Sequence, residues 1–390
     1  MRVLVTAFPA IGHFHAVAPF ALAARSAGHD VCVATAPDLV PWAITCGLPA
    51  RPIGPLVRTM TAASDPAHPE RLRTDVWPGA VIDDLLRLGQ EWRPDVVVHE
   101  EGEYAAVLAC AHLGIPCVTH SWATPARSPF ERAEAVDRLT PLWRRHAAAA
   151  GLPAVDEVEP RTVGALYLDA CPPPFQLGGL RGIDEVATVR GVAFDGPGTG
   201  RTPVWLIEMD RPAAYVTLGA DPAYSSVEQL RLLSRAIAPL VGSVVVTTGP
   251  NEVEDLGVLP DNVRAATYLP QSKVLPYVDL VVSHGGAGGL LGSLMHARPH
   301  LVVPGRNQSQ QDVASVTAGI GTGLRLAADQ HDQASIQEAV SELLGDVRFE
   351  LAASKIRSQI ERLPSPEEAV EMALALAGEA EGPRRDGSRS

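Results

Sequence analysis

The feature that most limits the fold is a set of short segments that are apolar at every position, among them Val3-Leu4-Val5, Val96-Val97-Val98 and Leu280-Val281-Val282, each followed by a stretch of helical length. A strand with one wet face alternates apolar and polar residues. Continuous apolar runs therefore need cover on both faces, which a parallel sheet with crossover helices supplies. The pattern predicts strands at 2–6, 30–35, 95–99 and 117–120, with helices over 14–27, 39–46 and 103–113 between them. It breaks at GVAFDGPGTGRTP (191–203), a composition that punctuates rather than packs. It then restarts, with strands at 214–218, 243–248, 263–267, 279–283 and 300–303 and helices over 227–239 and 287–295. The chain reads as two doubly wound α/β domains, 1–195 and 213–362, joined by a linker at 196–212. Ser365 and Glu368 form an N-cap box ahead of a closing helix within 363–380, and GPRRDGSRS suggests a disordered tail at 381–390.

At 390 residues and 46% hydrophobic content the chain has material for two buried cores, which excludes disorder for the bulk. Its 32 basic and 45 acidic side chains give a net charge of −13, which argues against a nucleic-acid or anionic-membrane partner. Five cysteines (Cys32, Cys46, Cys110, Cys117, Cys171) form no CxxC pair and suit a reducing compartment. The opening MRVLVTAFPAIGHFH is interrupted by Pro9, Gly12 and two histidines, so it reads neither as a signal peptide nor as a membrane span, and a cytoplasmic location is expected.

Paired α/β domains bind ligands at the carboxyl edges of their sheets, which directs attention to the strand-to-helix loops. The first is Gly12-His13. A helix N-terminus disfavours a protonated imidazole, so His13 reads as a neutral general base, although it could instead cap the helix. A base needs an orienting partner. Glu100, following Val96-Val97-Val98-His99, projects at the same edge, with Glu101 and Glu103 as alternatives or as simple helix-start acids. His13 and His15 lack a third ligand motif, so no metal is expected. The second loop is Ser283-His284-Gly285-Gly286-Ala287-Gly288-Gly289, a strand–glycine–helix turn of the kind that offers backbone N–H groups and a helix dipole to phosphate, with His284 at its mouth. Gly286, Gly288 and Gly292 also approximate a dinucleotide fingerprint, but far from the opening strand where that motif belongs.

Gly12-His13 with Pro19, Gly28-His29-Asp30-Val31, Arg93-Pro94-Asp95, Tyr268-Leu269-Pro270-Gln271 and Ser283 to Gly288 together resemble the inverting GT-B glycosyltransferases of glycosyltransferase family 1, with the bacterial antibiotic and natural-product branch most similar. The resemblance implies two Rossmann-like domains facing across a cleft, with the last helix packing back on the first domain. It places an acceptor in the N-terminal domain and a nucleotide-sugar in the C-terminal domain, with no cofactor beyond that co-substrate. It also implies His13 as base with Glu100 as partner, and Thr217, Gly219, Leu269, Gln271 and the 284–289 loop at the donor. Two departures stand out. Gly289 lacks a hydroxyl usual in the family, for which Arg306 is a candidate substitute. Ser309-Gln310 stands where an Asp-Gln pair is common, which fits a deoxysugar on thymidine or uridine diphosphate. For a hydrophobic acceptor, Phe14, Trp77, Trp122 and Phe130 are the candidate surface, although the stretches 77–88 and 130–143 could equally be core. A homodimer is compatible with this reading. The rival readings are a sugar-nucleotide epimerase or hydrolase of the same fold and a non-catalytic partner protein.

Overall fold

A computed structural model describes residues 1–57, 59, 71–126, 129–150, 162–197, 200–220, 225–327 and 330–380. The proposed tail at 381–390 lies outside the described residues. The first sheet has seven strands, β1 (Arg2–Thr6), β2 (Asp30–Thr35), β3 (Ala50–Pro52), β4 (Val96–Glu100), β5 (Cys117–His120), β6 (Leu166–Asp169) and β7 (Val186–Thr188), in the order β3-β2-β1-β4-β5-β6-β7. The second has six, β8 (Ala213–Thr217), β9 (Ser243–Thr247), β10 (Val263–Ala266), β11 (Leu280–Ser283), β12 (His300–Val302) and β13 (Gly323–Arg325), in the order β10-β9-β8-β11-β12-β13. Every pairing is parallel.

The alternation of side chains explains why whole strands are apolar. In β1, Val3 and Val5 enter the core on one face of the sheet while Leu4 enters the core on the other, and Val96 and Val98 oppose Val97 in the same way in β4. Each buried Val or Leu contributes about 1.5–3 kcal/mol relative to exposure, so neither face can be left wet. In both sheets the strand order reverses beside the first strand, at β1/β4 and at β8/β11. Helices leave to opposite sides at such a point, and a crevice opens at the carboxyl ends of the strands. His13 and Glu100 follow β1 and end β4; Thr217 and Ser283-His284 end β8 and follow β11. Both expected loops therefore sit at switch points.

Several boundaries differ from the sequence expectation. The first helix spans Ile11–Ser26, three residues earlier than the apolar run suggested, so Gly12 and His13 belong to its first turn. The segment 196–212 contains a short helix, Val204–Ile207, whose Leu206 is buried against Tyr215 of the second sheet. The closing helix spans Pro366–Ala380 and begins with the expected capping box: Ser365 N donates to Glu368 Oε2 (2.7 Å) and Glu368 N donates to Ser365 Oγ (3.3 Å). Its Ala369, Val370, Ala373 and Ala377 enter the core of the first domain beside Val17, Ala21 and Ala24. Among the described residues no helix is long and apolar enough to cross a membrane.

Candidate functional site

The two switch points face one cleft of about 1150 Å³, larger than the usual range for a single small ligand. His13 and Trp122 line it from the first domain. Thr217, Gly219, Leu269, Gln271, the whole 284–289 loop, Ser309 and Gln310 line it from the second.

On the first wall, Glu100 is fully buried beneath His13, with its Oε2 3.0 Å from His13 Nδ1. The pair is within ion-pair distance but not aligned as a hydrogen bond. Two backbone amides aim at the same carboxylate: Gly102 N donates to Oε1 (2.7 Å) and Phe8 N to Oε2 (3.2 Å). Burial alone would raise the pKa of Glu100. His13 and the two amides outweigh it, and the carboxyl is held below its ordinary value, ionised at the back of the site. The imidazole is wedged between Phe8 (centroids 5.1 Å apart, tilted) and Trp122 (4.8 Å, edge-on), and the Arg73 guanidinium lies 5.3 Å over the Trp122 ring. His13 is therefore positioned by its flanking rings and by Glu100 rather than acting as a helix cap; Ala10 occupies the cap position.

The alternative acids go elsewhere. Glu103 accepts from Thr6 Oγ1 (2.8 Å) and from the amides of Ala105 and Ala106, the opening of the helix Ala105–Leu113. Burial raises its pKa to about 7, with Glu100 adding to the shift and these donors opposing it. Glu101 is buried beside Tyr167 and adds to the upward shift of the phenol, after burial itself. His15 is committed to a different partner from His13: its Nε2 accepts from Trp42 Nε1 (3.1 Å), and burial lowers its pKa to about 4.

The second wall is built of backbone. The His284 ring fits between two glycines: a Cβ at Gly219 would lie 2.7 Å from the ring and one at Gly286 would lie 2.6 Å from it. Gly219 also has φ +84°, where a side chain is strained. The helix Ala287–Met295 then starts at Gly286 with no side-chain cap, leaving its first N–H groups directed at the cleft. Gln271 opens the short helix Gln271–Val274 and lies over the glycine helix, where a Cβ at Gly292 would meet its Oε1 at 2.6 Å.

Beneath the loop runs a buried relay that the sequence did not reveal. Ser293 Oγ donates to Leu290 O (2.9 Å) and lies 3.2 Å from His300 Nδ1; His300 Nε2 lies 2.8 Å from Ser283 Oγ, which accepts from Gly285 N (3.1 Å). The single Ser293 hydrogen is used on the carbonyl, so Nδ1 donates to Ser293 and the Ser283 hydroxyl donates to Nε2. Burial, with His284 nearby, lowers the His300 pKa to about 3 and keeps the ring neutral. This relay also explains Gly289: a Cβ there would stand 2.5 Å from Ser283 Oγ, so a hydroxyl-bearing side chain at 289 and Ser283 compete for one space.

Three expected site residues are not where the sequence reading put them, and a fourth is not described. Phe14 is 1% exposed and packs in the core with Val17 and Phe20, because a residue one step along a helix turns about 100° away from His13. Trp77 is 0% exposed in the core of the opposite face, where it supports Phe8 edge-on (6.1 Å). Arg306 is exposed and outside the cleft lining. The side chain of Phe130 lies outside the described residues. The helix Pro129–Ala150 that carries Phe130 buries Leu139, Leu142 and Trp143 and turns Glu131, Glu134 and Arg138 to the cleft. Gln310 lines the cleft with its Oε1 held by Gly305 N (2.9 Å), and Ser309 stands beside it in the first turn of the helix Gln308–Gly319.

Comparison with known proteins agrees with this architecture. Residues 69–219 match the N-terminal domain model, and residues 231–376 the C-terminal domain model, of the family described as erythromycin biosynthesis protein CIII-like. The L-demethylnoviosyl transferase of Streptomyces niveus is 32% identical over 94% of this chain and 96% of its own. Among solved structures, the spinosyn forosaminyltransferase SpnP superposes with a TM-score of 0.82 at 27% identity, covering 97% of this chain and 99% of its own. The glycosyltransferase VinC, solved in complex with dTDP, gives 0.80 at 26% identity, covering 97% of this chain and 100% of its own. With two parallel-sheet domains of GT-B form, a histidine facing a glycine-rich loop across the cleft, and matches of this extent, the chain belongs to the erythromycin biosynthesis protein CIII-like family of bacterial natural-product glycosyltransferases.

Proposed function

We propose that this glycosyltransferase moves a deoxysugar from a thymidine or uridine diphosphate donor to a hydroxyl of a hydrophobic natural-product acceptor, with inversion at the anomeric carbon. The observation that carries the reading is the placement of His13, backed by Glu100, across a single cleft from the 284–289 loop. The acceptor hydroxyl gives its proton to His13 Nε2 while its oxygen attacks the anomeric carbon. The bond from that carbon to the diphosphate oxygen breaks on the opposite face, and the electron pair leaves with the nucleotide. Glu100 stabilises the imidazolium formed, and the helix-start amides with His284 stabilise the departing charge. The proposal includes no resident cofactor or metal ion.

Thymidine diphosphate is favoured by the dTDP complex of VinC and by a relative named TDP-daunosamine transferase. A sugar with few hydroxyls suits a loop that offers Ser309 where a carboxylate would bind a diol, and whose Gln310 oxygen is already occupied. The test is a donor and aglycone panel read by mass spectrometry with His13→Ala beside the natural chain. The variant is expected to bind nucleotide and form no glycoside, and anomeric inversion is read from the coupling constant of the product. Glycoside formation by His13→Ala at the natural rate rejects the base, and equal or better turnover with plain glucose donors rejects the deoxysugar.

A further inference from the structure

A second imidazole stands at the same sheet edge as Glu100. His120 ends β5, and the strand register pairs it with Glu100. It is 7% exposed and lines the cleft from the same wall as His13 and Trp122. Its Nδ1 lies 2.8 Å from the backbone oxygen of Ser121. A carbonyl can only accept, so Nδ1 carries the hydrogen. Burial pushes the His120 pKa down, with the Ser121 contact and Glu100 opposing, and the ring is neutral. A neutral ring protonated at Nδ1 has a lone pair on Nε2 and can only accept there. Among the described residues no donor reaches that atom; the other ring neighbour is Phe20, at 6.2 Å between centroids. His13 also turns Nδ1 to a partner, Glu100, and the proposed function uses its Nε2 toward the cleft. The first wall therefore offers two imidazole acceptors, and only one is needed for the reacting hydroxyl. His120 opens to the cleft, and a ligand seated there displaces the water that would otherwise pair with Nε2 and can supply the partner itself.

We propose that His120 is a specificity residue whose Nε2 accepts a hydrogen bond from a second substrate hydroxyl, one that is not deprotonated. This rests on the transferase reading of the cleft. Its failure is separable from a failure of that reading, because the base is tested at His13 and this contact at His120. The hydroxyl can belong to the acceptor or to the transferred sugar, and two pairs of probes tell them apart. Binding to the full chain is measured for naphthol and naphthalenediol, and for TDP and TDP-glucose. The natural chain is expected to prefer naphthalenediol over naphthol if the hydroxyl is the acceptor's, or TDP-glucose over TDP if it is one of the sugar's. His120→Phe keeps the packing on Phe20, removes the lone pair, and is expected to reduce that preference about tenfold. His120→Gln, with an amide oxygen near the Nε2 position, is expected to restore part of it. The pair that responds names the source. A folded His120→Phe protein in which both preferences are unchanged, or a natural chain without either preference, overturns the proposal. Should His120→Phe fail to fold, nitrogen NMR of the natural chain decides: the His120 Nε2 resonance starts in the unprotonated range and moves upfield with naphthalenediol or TDP-glucose, and no movement with either rejects the contact.

Discussion

Glu100 and His300 are each buried under one wall of the cleft, yet one is kept charged and the other neutral. Behind His13 the fold places an ionised carboxylate held by two amides, a fixed negative partner for the cation that the proposed mechanism forms there. Behind the 284–289 loop the same negative charge would repel the diphosphate that the proposed function places there. The loop is instead braced by hydroxyls and an uncharged imidazole, which fix its shape without adding to its field. The contrast teaches that a buried polar group is chosen for the charge that the reaction will develop above it.

The sharpest way to break this contrast is to remove the base. His13→Ala is expected to lower kcat by about 10²–10⁴-fold while leaving nucleotide affinity, read by calorimetry, unchanged; a loss of both would mean that the walls are not separable. Glu100→Gln is the next largest, with kcat lower by roughly a hundredfold and nucleotide affinity again unchanged, since a neutral amide has one oxygen, keeps only one of the two backbone bonds and cannot balance the imidazolium. On the other wall, Gly289→Ser forces its Cβ against the Ser283 hydroxyl and is expected to weaken TDP binding by about tenfold, with Ser283→Gly in the same chain recovering part of the loss. The smallest effect concerns Glu103. Its folded pKa of about 7 lies above the unfolded value, so folding takes up a proton between about pH 4.5 and 7. Stability should fall as the pH rises through that window, by on the order of 3 kcal/mol, and then level off. Glu103→Gln is expected to flatten this slope in urea titrations. Glu100 runs the other way: its contribution is present above the unfolded carboxyl value and is lost as the pH falls through its lowered one.

Much of this was legible in the sequence because strand burial and loop chemistry are local. Val96-Val97-Val98 declares a strand covered on both faces, and Glu100 at its end can be placed opposite a loop leaving the neighbouring strand. The glycines after Ser283 declare an anion loop, and Ser365 with Glu368 declares a helix start. Leu166–Asp169 and Val186–Thr188 were lost, because neither is followed by a helix long enough to mark the strand–helix alternation. Aromatics misled for a different reason. Phe14 and Trp77 bring the large apolar surface expected of a binding site, yet which side of a helix faces the core is decided by partners far along the chain. His120 and the Ser283–His300–Ser293 relay were hidden because their meaning lies in hydrogen bonds between residues up to seventeen positions apart, and in which of two ring nitrogens carries the hydrogen.

The closing helix has a practical corollary. Residues 369–377 are built into the first domain although they follow the second in the chain, so the polypeptide crosses from one lobe to the other twice. A hybrid enzyme made with one junction in the linker would attach a foreign last helix to the first lobe. Recombination intended to exchange the second lobe alone therefore needs two junctions, one before β8 and one before Ser365.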